Sequence, residues 1–250
     1  MTILVTGVTA GIGLAIARRF IAAGHNVIGT GRRQARLDEI RAELGERFYP
    51  IQHDVADRSS YPDILNAIPE AFSSISVLVN NAGLALGIEK AQQANAEDWV
   101  SMIDTNITGL SLLTHTFLPG MVERNRGHII NIGSVAGKYP YPGGNVYGAS
   151  KAFVKQFSQN LRADLIGTDI RVTNVEPGLI GGTEFTTIRL KGDEQEAKKR
   201  YENVKALSAE DIAETVYWIA TLPEHINVNA IEIMPVRQSF SALNIHRKPA

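Results

Sequence analysis

The chain has 250 residues, of which 44% are hydrophobic and 20% are charged, and this length and composition predict one globular domain with a sizeable core. The formal net charge of −1 argues against nucleic acid or an anionic membrane surface as a partner, and no run approaches the ~18 apolar residues of a membrane span. The absence of cysteine excludes disulfides, thiolate metal ligands and cysteine nucleophiles, and it suits the reducing cytoplasm, where we expect the protein; we also expect no metal site.

Short runs rich in β-branched residues alternate with longer segments of helical periodicity. Predicted strands occupy residues 3–5, 27–30, 48–52, 77–80, 128–132, 171–175 and 230–233, and predicted helices include residues 12–23, 35–44, 96–122 and 153–165. This alternation predicts an α/β fold with a doubly wound, parallel, seven-stranded sheet and helices on both faces. The region of residues 178–205 begins with glycines and ends densely charged, so residues 179–205 fit either a lid-like substrate region or a surface excursion.

A glycine-rich turn follows the first predicted strand. Gly7, Gly11 and Gly13 have the spacing Gly-x3-Gly-x-Gly, and a predicted helix opens at Ile12. Glycines let the chain turn tightly and let a pyrophosphate approach backbone N–H groups at a helix N-terminus. We interpret this turn as the phosphate-binding part of a dinucleotide site.

Two arginines follow the second predicted strand, where an NAD site usually has an acidic side chain. Arg32 and Arg33 could each make charge-assisted hydrogen bonds to a phosphate, which favours the 2′-phosphate of NADP. The alternative is that both arginines merely begin an exposed basic helix.

Tyr147 and Lys151 are four residues apart, so on a helix they lie on one face. A nearby ammonium favours the phenolate, and we therefore expect Lys151 to lower the pKa of Tyr147. Upstream, a short apolar strand ends close to Ser134, at the sheet edge where α/β proteins hold ligands. A solvated helix face is the alternative for the Tyr147–Lys151 pair taken alone.

These motifs together resemble the short-chain dehydrogenase/reductase family, which has a Rossmann-like fold. The resemblance runs from residue 3 to about residue 235, and it rests on residues that occur in the family's order and at its intervals: Thr6, Gly7, Gly11, Gly13, Asp54, Asn80 to Gly83, Asn106, Ser134, Tyr147, Lys151, Pro177 and Gly178. The sequence around residues 83–87, 142–147 and 176–185 is similar to a bacterial subgroup of NADP-dependent 3-hydroxy acid dehydrogenases.

The resemblance implies four catalytic side chains. Tyr147 would exchange the proton, and Ser134 would hydrogen-bond the substrate oxygen. Lys151 would hold the nicotinamide ribose and lower the pKa of Tyr147, while Asn106 would hold a water that links Lys151 to solvent. The structural alternatives are a strand-end hydroxyl bonded to its own backbone for Ser134 and a capping or kink amide for Asn106.

The resemblance also implies NADP as the cofactor. Asp54 would meet the adenine amino group, or would instead cap a turn, and Thr183 would bond the nicotinamide carboxamide. The full set of expected cofactor contacts is Gly7, Thr9, Gly11, Ile12, Gly13, Arg32, Arg33, Asp54, Val55, Asn81, Tyr147, Lys151, Pro177, Gly178 and Thr183.

The implied substrate is a small 3-hydroxy acid or its oxo partner, such as malonic semialdehyde. A buried carboxylate needs a cation, and we favour Arg189 over Lys138, Lys191 and Arg237. Beside Ser134, the expected pocket residues are Asn145, Tyr139 and Tyr141.

Two other functions stay open at this stage. One is reduction of other ketones, sugars or β-ketoacyl thioesters by the same chemistry. The other is a non-catalytic NADP sensor or scaffold, whose signature would be loss of the tyrosine or the lysine; both are present as Tyr147 and Lys151.

The family usually assembles as homotetramers, so the resemblance implies the same here. Apolar stripes on two predicted helices could form an interface or belong to the core of one chain: Leu112, Leu113, Phe117 and Met121, and Val154, Phe157, Leu161 and Leu165. The short tail of residues 239–250 could reach a neighbouring subunit.

Overall fold

Seven parallel strands form one sheet in the computed structural model, which describes residues 1–240. Their bounds are β1 (Thr2–Thr6), β2 (Asn26–Gly31), β3 (Phe48–Gln52), β4 (Ile75–Asn80), β5 (Gly127–Ile132), β6 (Ile170–Pro177) and β7 (Ala230–Ile233). The spatial order is β3-β2-β1-β4-β5-β6-β7, and each neighbouring pair is parallel. The predicted doubly wound parallel sheet is therefore confirmed.

Helices cover both faces of this sheet. Their bounds are α1 (Gly11–Ala22), α2 (Gln34–Leu44), α3 (Tyr61–Asn66), α4 (Ala96–Ile103), α5 (Leu110–Glu123), α6 (Asn145–Asp164), α7 (Phe185–Arg189), α8 (Glu194–Lys199) and α9 (Ala209–Thr221). The helix predicted over residues 96–122 contains a π-helical segment at Asp104–Gly109 between α4 and α5. The helix predicted from residue 153 begins at Asn145 instead, so both Tyr147 and Lys151 lie on α6.

The two faces are built from alternate residues of the same strands. Ile3 and Val5 of β1 pack with α1, α2 and α9 on one face. Leu4, between them, packs with α3, α5 and α6 on the other face. This alternation follows from the two-residue period of a strand, and it explains why the strands are apolar throughout.

The apolar stripes of α5 and α6 belong to the core of the chain itself. Leu113, Phe117, Met121, Leu161 and Leu165 are buried in the cluster that covers the second face of the sheet, and Leu112 and Phe157 pack against it. Val154 is also buried. The tail predicted to reach a neighbouring subunit lies outside the described residues from position 241 onward.

The connections reverse direction between β1 and β4. The chain runs outward from β1 through β2 to β3, then crosses to β4 and continues through β5 and β6 to β7. Such a reversal leaves a crevice outside the carboxyl ends of the strands, where ligands bind in open α/β sheets.

Candidate active site

A cleft of about 580 Å³ opens at the carboxyl ends of the strands. It brings together most of the residues predicted from the sequence: Gly7, Thr9, Gly11, Ile12, Arg32, Arg33, Asp54, Val55, Asn81, Ser134, Tyr147, Lys151, Pro177, Gly178, Thr183 and Arg189. Gly13, Asn106 and Asn145 do not line it.

The glycine-rich turn has the geometry of a phosphate cradle. Gly7 and Gly11 have φ angles of +71° and +53°, a region that favours glycine. A Cβ on Gly13 would lie 2.6 Å from Nδ2 of Asn81 and closer still to the carbonyl oxygen of Gly7. Helix α1 then begins after Ala10 with no side-chain cap and no acidic residue in its first turn. Its N–H groups are thus available to an anion, and the turn fits a dinucleotide pyrophosphate.

The two arginines after β2 have different surroundings. Arg33 donates from both Nη1 and Nη2 to the carboxylate of Glu184, at 3.2 and 3.1 Å, and also to Oγ1 of Thr9. Arg32 is 71% exposed, and its nearest carboxylate is that of Asp54 at 4.0 Å. Arg32 is thus the arginine whose donors are open to a further anion.

The residues after β3 and β4 line one part of the cleft. Asp54 accepts a hydrogen bond from the backbone N–H of Ala56 at 3.0 Å, so its carboxylate also caps the local turn. Asn81 donates from Nδ2 to the carbonyl oxygen of Thr6 at 2.7 Å, which joins the end of β4 to the end of β1. These side chains brace the cleft and line it at the same time.

Tyr147, Lys151 and Ser134 lie together in the middle of the cleft. Lys151 donates from Nζ to the carbonyl oxygen of Ile132 at 2.8 Å, and its Nζ is 5.9 Å from the centre of the Tyr147 ring. Ser134 Oγ accepts from the N–H of Ala136 at 3.1 Å, which is the strand-end bond expected of such a serine. That bond leaves the hydroxyl proton of Ser134 available to another group.

Burial is the main influence on the pKa values of Tyr147 and Lys151, whereas the sequence predicts a lowered pKa for Tyr147. Desolvation raises the pKa of Tyr147 to about 12, although its hydrogen bond with Ser134 and the charge of Arg189 each lower that pKa by less. Desolvation also lowers the pKa of Lys151 to about 8. The expected lowering of the tyrosine pKa by Lys151 is therefore wrong for the protein alone, because both groups are buried and each neutral form is favoured.

Asn106 lies behind the cleft, within the π-helical segment. Its Oδ1 accepts from the N–H of Leu84 at 2.9 Å, and its Nδ2 donates to the carbonyl oxygen of Leu84 at 2.8 Å and to Oγ of Ser150 at 3.0 Å. Ser150 in turn donates to the carbonyl oxygen of Tyr147 at 2.8 Å. Asn106 thereby ties the loop after β4 to the turn of α6 that carries Tyr147.

Arg189 lies beside the Tyr147 ring. Its Cζ is 5.6 Å from the centre of that ring and 5.4 Å from the centre of the Tyr141 ring. Its guanidinium donates to the carbonyl oxygens of Gly87 and Gly143 at 3.1 and 3.2 Å, which leaves further N–H donors free. Within residues 1–240 it forms no salt bridge.

The other cations considered from the sequence do not line the cleft. Lys138 and Lys191 form salt bridges with Glu232 at 3.0 Å and with Asp98 at 2.8 Å. Tyr139 donates to Glu232 at 3.1 Å, whereas Tyr141 lines the cleft.

Asn145 starts α6 with its side chain directed to the carbonyl oxygen of Glu89 at 3.3 Å. It therefore helps to hold the start of the helix, and it does not face the cleft.

Sequence reasoning missed three residues of this site. Ser150 stands three residues after Tyr147, and that helical spacing was the available signal. Glu184 and Phe185 follow Thr183 directly, and the Phe185 ring lies 5.8 Å from that of Tyr147. The lid-like interpretation of residues 179–205 includes this segment, but no local pattern indicated which of its side chains reach the cleft.

The chain is similar to known dehydrogenases over nearly its full length. Residues 1–193 match the family model described as short chain dehydrogenase. The chain is 58% identical to the NADP-dependent 3-hydroxy acid dehydrogenase YdfG of Escherichia coli (strain K12), over 99% of this chain and 100% of that protein. It is 49% identical to serine 3-dehydrogenase of Agrobacterium fabrum, over 99% of this chain and 98% of that protein.

Solved structures give the same result. The closed form of serine dehydrogenase complexed with NADP+ superimposes with a TM-score of 0.98 at 58% identity, and the match covers 99% of this chain and 100% of that one. ElxO with NADP bound is 27% identical, with a TM-score of 0.81 over 93% of this chain and 96% of that one.

Proposed function

The chain belongs to the short chain dehydrogenase family, and we propose that it transfers hydride between NADP(H) and a small 3-hydroxy acid or its oxo partner. YdfG and serine 3-dehydrogenase are named for 3-hydroxy acids and for serine, both of which carry a carboxylate near the reacting hydroxyl. The observation that carries the proposal is the cleft that brings Tyr147, Ser134 and Lys151 together with Arg189, beside a phosphate cradle.

The cofactor site would be formed at the carboxyl ends of β1, β2, β3, β4 and β6. The cradle of Gly7, Gly11 and Gly13 would hold the pyrophosphate, and Arg32 would bond the 2′-phosphate that distinguishes NADP from NAD. Asp54 and Val55 would line the adenine, and Asn81, Pro177, Gly178 and Thr183 would line the remaining cofactor surface. Bound NADP would supply or accept the hydride.

Tyr147 would carry the proton. Because burial raises its pKa to about 12, the phenol is protonated at neutral pH and is a proton donor for reduction. Ser134 would donate its hydroxyl proton to the substrate oxygen and stabilise the developing negative charge. Lys151 would hold the nicotinamide ribose, and Asn106 would fix the turn of α6 through Ser150.

Arg189 would bind the substrate carboxylate. It is half-buried and has no carboxylate partner within residues 1–240, whereas Lys138 and Lys191 each have one. A partly desolvated guanidinium with unused donors favours an anionic ligand. Its position next to Tyr147 places the carboxylate close to the reacting carbon, as a short hydroxy acid requires.

The test compares a hydroxy acid with its methyl ester, since the ester lacks the negative charge. NADPH absorbance would be followed with the wild-type protein and with Arg189→Met, using 3-hydroxypropionate, serine and their methyl esters. We expect kcat/KM for the acids to fall by about 10- to 100-fold in the variant, because a charge-assisted hydrogen bond is lost. The ester should be affected much less.

Equal losses for acid and ester would contradict carboxylate binding by Arg189. Faster turnover of simple ketones, sugars or β-ketoacyl thioesters than of hydroxy acids by the wild-type protein would instead favour the broader reductase function.

We also propose a homotetramer in the cytoplasm. Exposed apolar side chains occur on different elements: Val100 and Ile103 on α4, Trp218 on α9, and Val236 beyond β7. Two independent interfaces are what a tetramer of two-fold symmetry needs. No helix among residues 1–240 has the length and apolarity to cross a membrane. Light scattering during gel filtration would test the assembly, and a monomeric mass would contradict it.

A further inference from the structure

Arg33 forms an ion pair with the carboxylate of Glu184, which lies on the opposite side of the cleft. Its Nη1 and Nη2 donate to Oε1 and Oε2 of Glu184 at 3.2 and 3.1 Å. Its Nη2 also donates to Oγ1 and to the carbonyl oxygen of Thr9, at 3.0 and 3.2 Å. The parallel two-bond geometry is the strongest form of an arginine–carboxylate pair. Arg33 therefore has few donors left for a phosphate.

Glu184 belongs to a segment that crosses the cleft. We call residues 183–189 the strap. At one end, the side chain of Thr183 lies 3.4 Å from the Cβ position of Gly11, directly over the glycine-rich turn. At the other end, Arg189 donates to the carbonyl oxygens of Gly87 and Gly143, and its own carbonyl accepts from the N–H of Gly87. The Arg33–Glu184 pair thus fastens the end of the strap that lies over the phosphate cradle.

We propose that Glu184 is a positioning residue that holds the strap closed over the bound dinucleotide through Arg33, which leaves the 2′-phosphate to Arg32. This inference rests on the proposed binding of NADP. The chemistry requires that the cofactor stay until the proton and hydride have both moved, and a strap fastened at both ends slows its departure. Glu184 touches neither of the reacting atoms, so it acts through the strap.

A competing role for Glu184, in which its carboxylate blocks Arg33, predicts a different effect on cofactor binding. If Glu184 only occupied Arg33 until a 2′-phosphate displaced it, the carboxylate would compete with NADPH. Neutralising Glu184 would then tighten the binding of NADPH, and it would leave NADH unaffected because NADH has no 2′-phosphate. The closing role predicts faster release of both cofactors.

The size of the effect is limited by exposure. The side chains of Arg33 and Glu184 are 51% and 53% exposed, so solvent screens their attraction. Exposed pairs with good geometry change an equilibrium by up to about 5-fold. We therefore expect Glu184→Gln to release both cofactors about 3- to 5-fold faster, with a smaller difference from wild type at high salt.

The experiment measures dissociation of NADPH and of NADH by stopped-flow fluorescence of the reduced cofactor, with excess NADP+ as the non-fluorescent competitor. The matched control is Glu43→Gln, which removes another two-bond arginine–carboxylate pair, with Arg18, of similar exposure (46% and 43%) away from the cleft. Glu43→Gln should release both cofactors at the wild-type rate. Limited proteolysis of the cofactor-free proteins adds a second readout, since only Glu184→Gln should make the strap easier to cleave.

Rescue separates a closing role from a general structural one. The reversed pair, Arg33→Glu together with Glu184→Arg, should return the release of NADH to within about 2-fold of wild type, since the attraction is restored. Each single change should speed that release. Wild-type release from Glu184→Gln, tighter NADPH binding, or absence of rescue would each overturn the inference. Failure of the wild-type protein to bind NADPH at all would overturn the proposed function as well.

Discussion

Replacing Lys151 by methionine should make the cofactor-free protein more stable while removing its activity. The ammonium of Lys151 is buried, and burial lowers the pKa of Lys151 from 10.5 to about 8. Its one hydrogen bond among the described residues runs to the carbonyl oxygen of Ile132. Methionine has a similar length and no charge to desolvate, so the variant avoids the free-energy cost of burying an ammonium.

The magnitude follows from the change in pKa. A shift from 10.5 to about 8 corresponds to about 3 kcal/mol of lost stability at neutral pH. Loss of the hydrogen bond to Ile132 removes about 1 kcal/mol of that advantage, which leaves about 2 kcal/mol in favour of Lys151→Met. For a chain of this size, that difference raises the melting temperature by about 4–8 °C.

The stability difference between Lys151→Met and the wild-type protein should become smaller as the pH rises. The pKa of Lys151 is lower in the folded than in the unfolded protein, so between pH 8 and 10.5 the unfolded chain binds more protons. The wild-type free energy of unfolding therefore rises with pH in that window, and the penalty is present in full below it. By pH 9.5 about 2 kcal/mol of the penalty is relieved, and the two proteins should melt at nearly the same temperature.

Calorimetry of the cofactor-free proteins at pH 7 and pH 9.5 measures this directly. The control is Lys198→Met on the exposed end of α8. Removing the charge of an exposed lysine relieves no desolvation penalty, so we expect the free energy of unfolding to change by less than about 0.5 kcal/mol at either pH. A lower melting temperature for Lys151→Met at pH 7, or an advantage that is the same at both pH values, would refute the reasoning.

Three further changes test the phosphate cradle, the proton donor and the phosphate-reading arginine. Gly13→Ala should lower stability by about 1–3 kcal/mol and abolish NADPH binding in a fluorescence titration, because its Cβ would press on the carbonyl of Gly7; Gly120→Ala in α5 should lower neither. Tyr147→Phe should reduce turnover by at least about 100-fold with NADPH affinity nearly unchanged, and undiminished turnover would contradict proton transfer by the phenol. Arg32→Asp should weaken NADPH binding far more than NADH binding, and equal losses would contradict recognition of the 2′-phosphate.

The sheet and the ends of its strands could be predicted because their signals are local. A strand such as β5 is a short apolar run, and a glycine-rich turn such as that around Gly11 is read from a few adjacent residues. The spacing of Tyr147 and Lys151 likewise needs only the period of a helix. The start of α6 was placed too late because residues 145–152 are rich in small and polar side chains, which hide the helical period.

The strap could not be predicted because its contacts join distant parts of the chain. Arg33 and Glu184 are 151 residues apart, and Arg189 is 102 residues from Gly87. Exposed charged residues occur throughout any surface, so nothing in the sequence marks which arginine meets which carboxylate. Three strands separate β2 from β6 in the sheet, so the partners meet only when the segment after β6 crosses the cleft to the end of β2.

The direction of the Tyr147 pKa shift depends on the burial of the side chain as well as on its distance from Lys151. From the sequence, a neighbouring lysine implies a more acidic phenol, and that inference holds where solvent reaches both groups. In the cleft both Tyr147 and Lys151 are buried, so desolvation is the largest influence on both pKa values and favours the neutral form of each group. Only the charge of Arg189 and the hydrogen bond with Ser134 act against it at Tyr147. The protein alone therefore keeps a proton on the phenol, where reduction of an oxo acid needs it; oxidation needs the phenolate, which further positive charge close to the hydroxyl would favour.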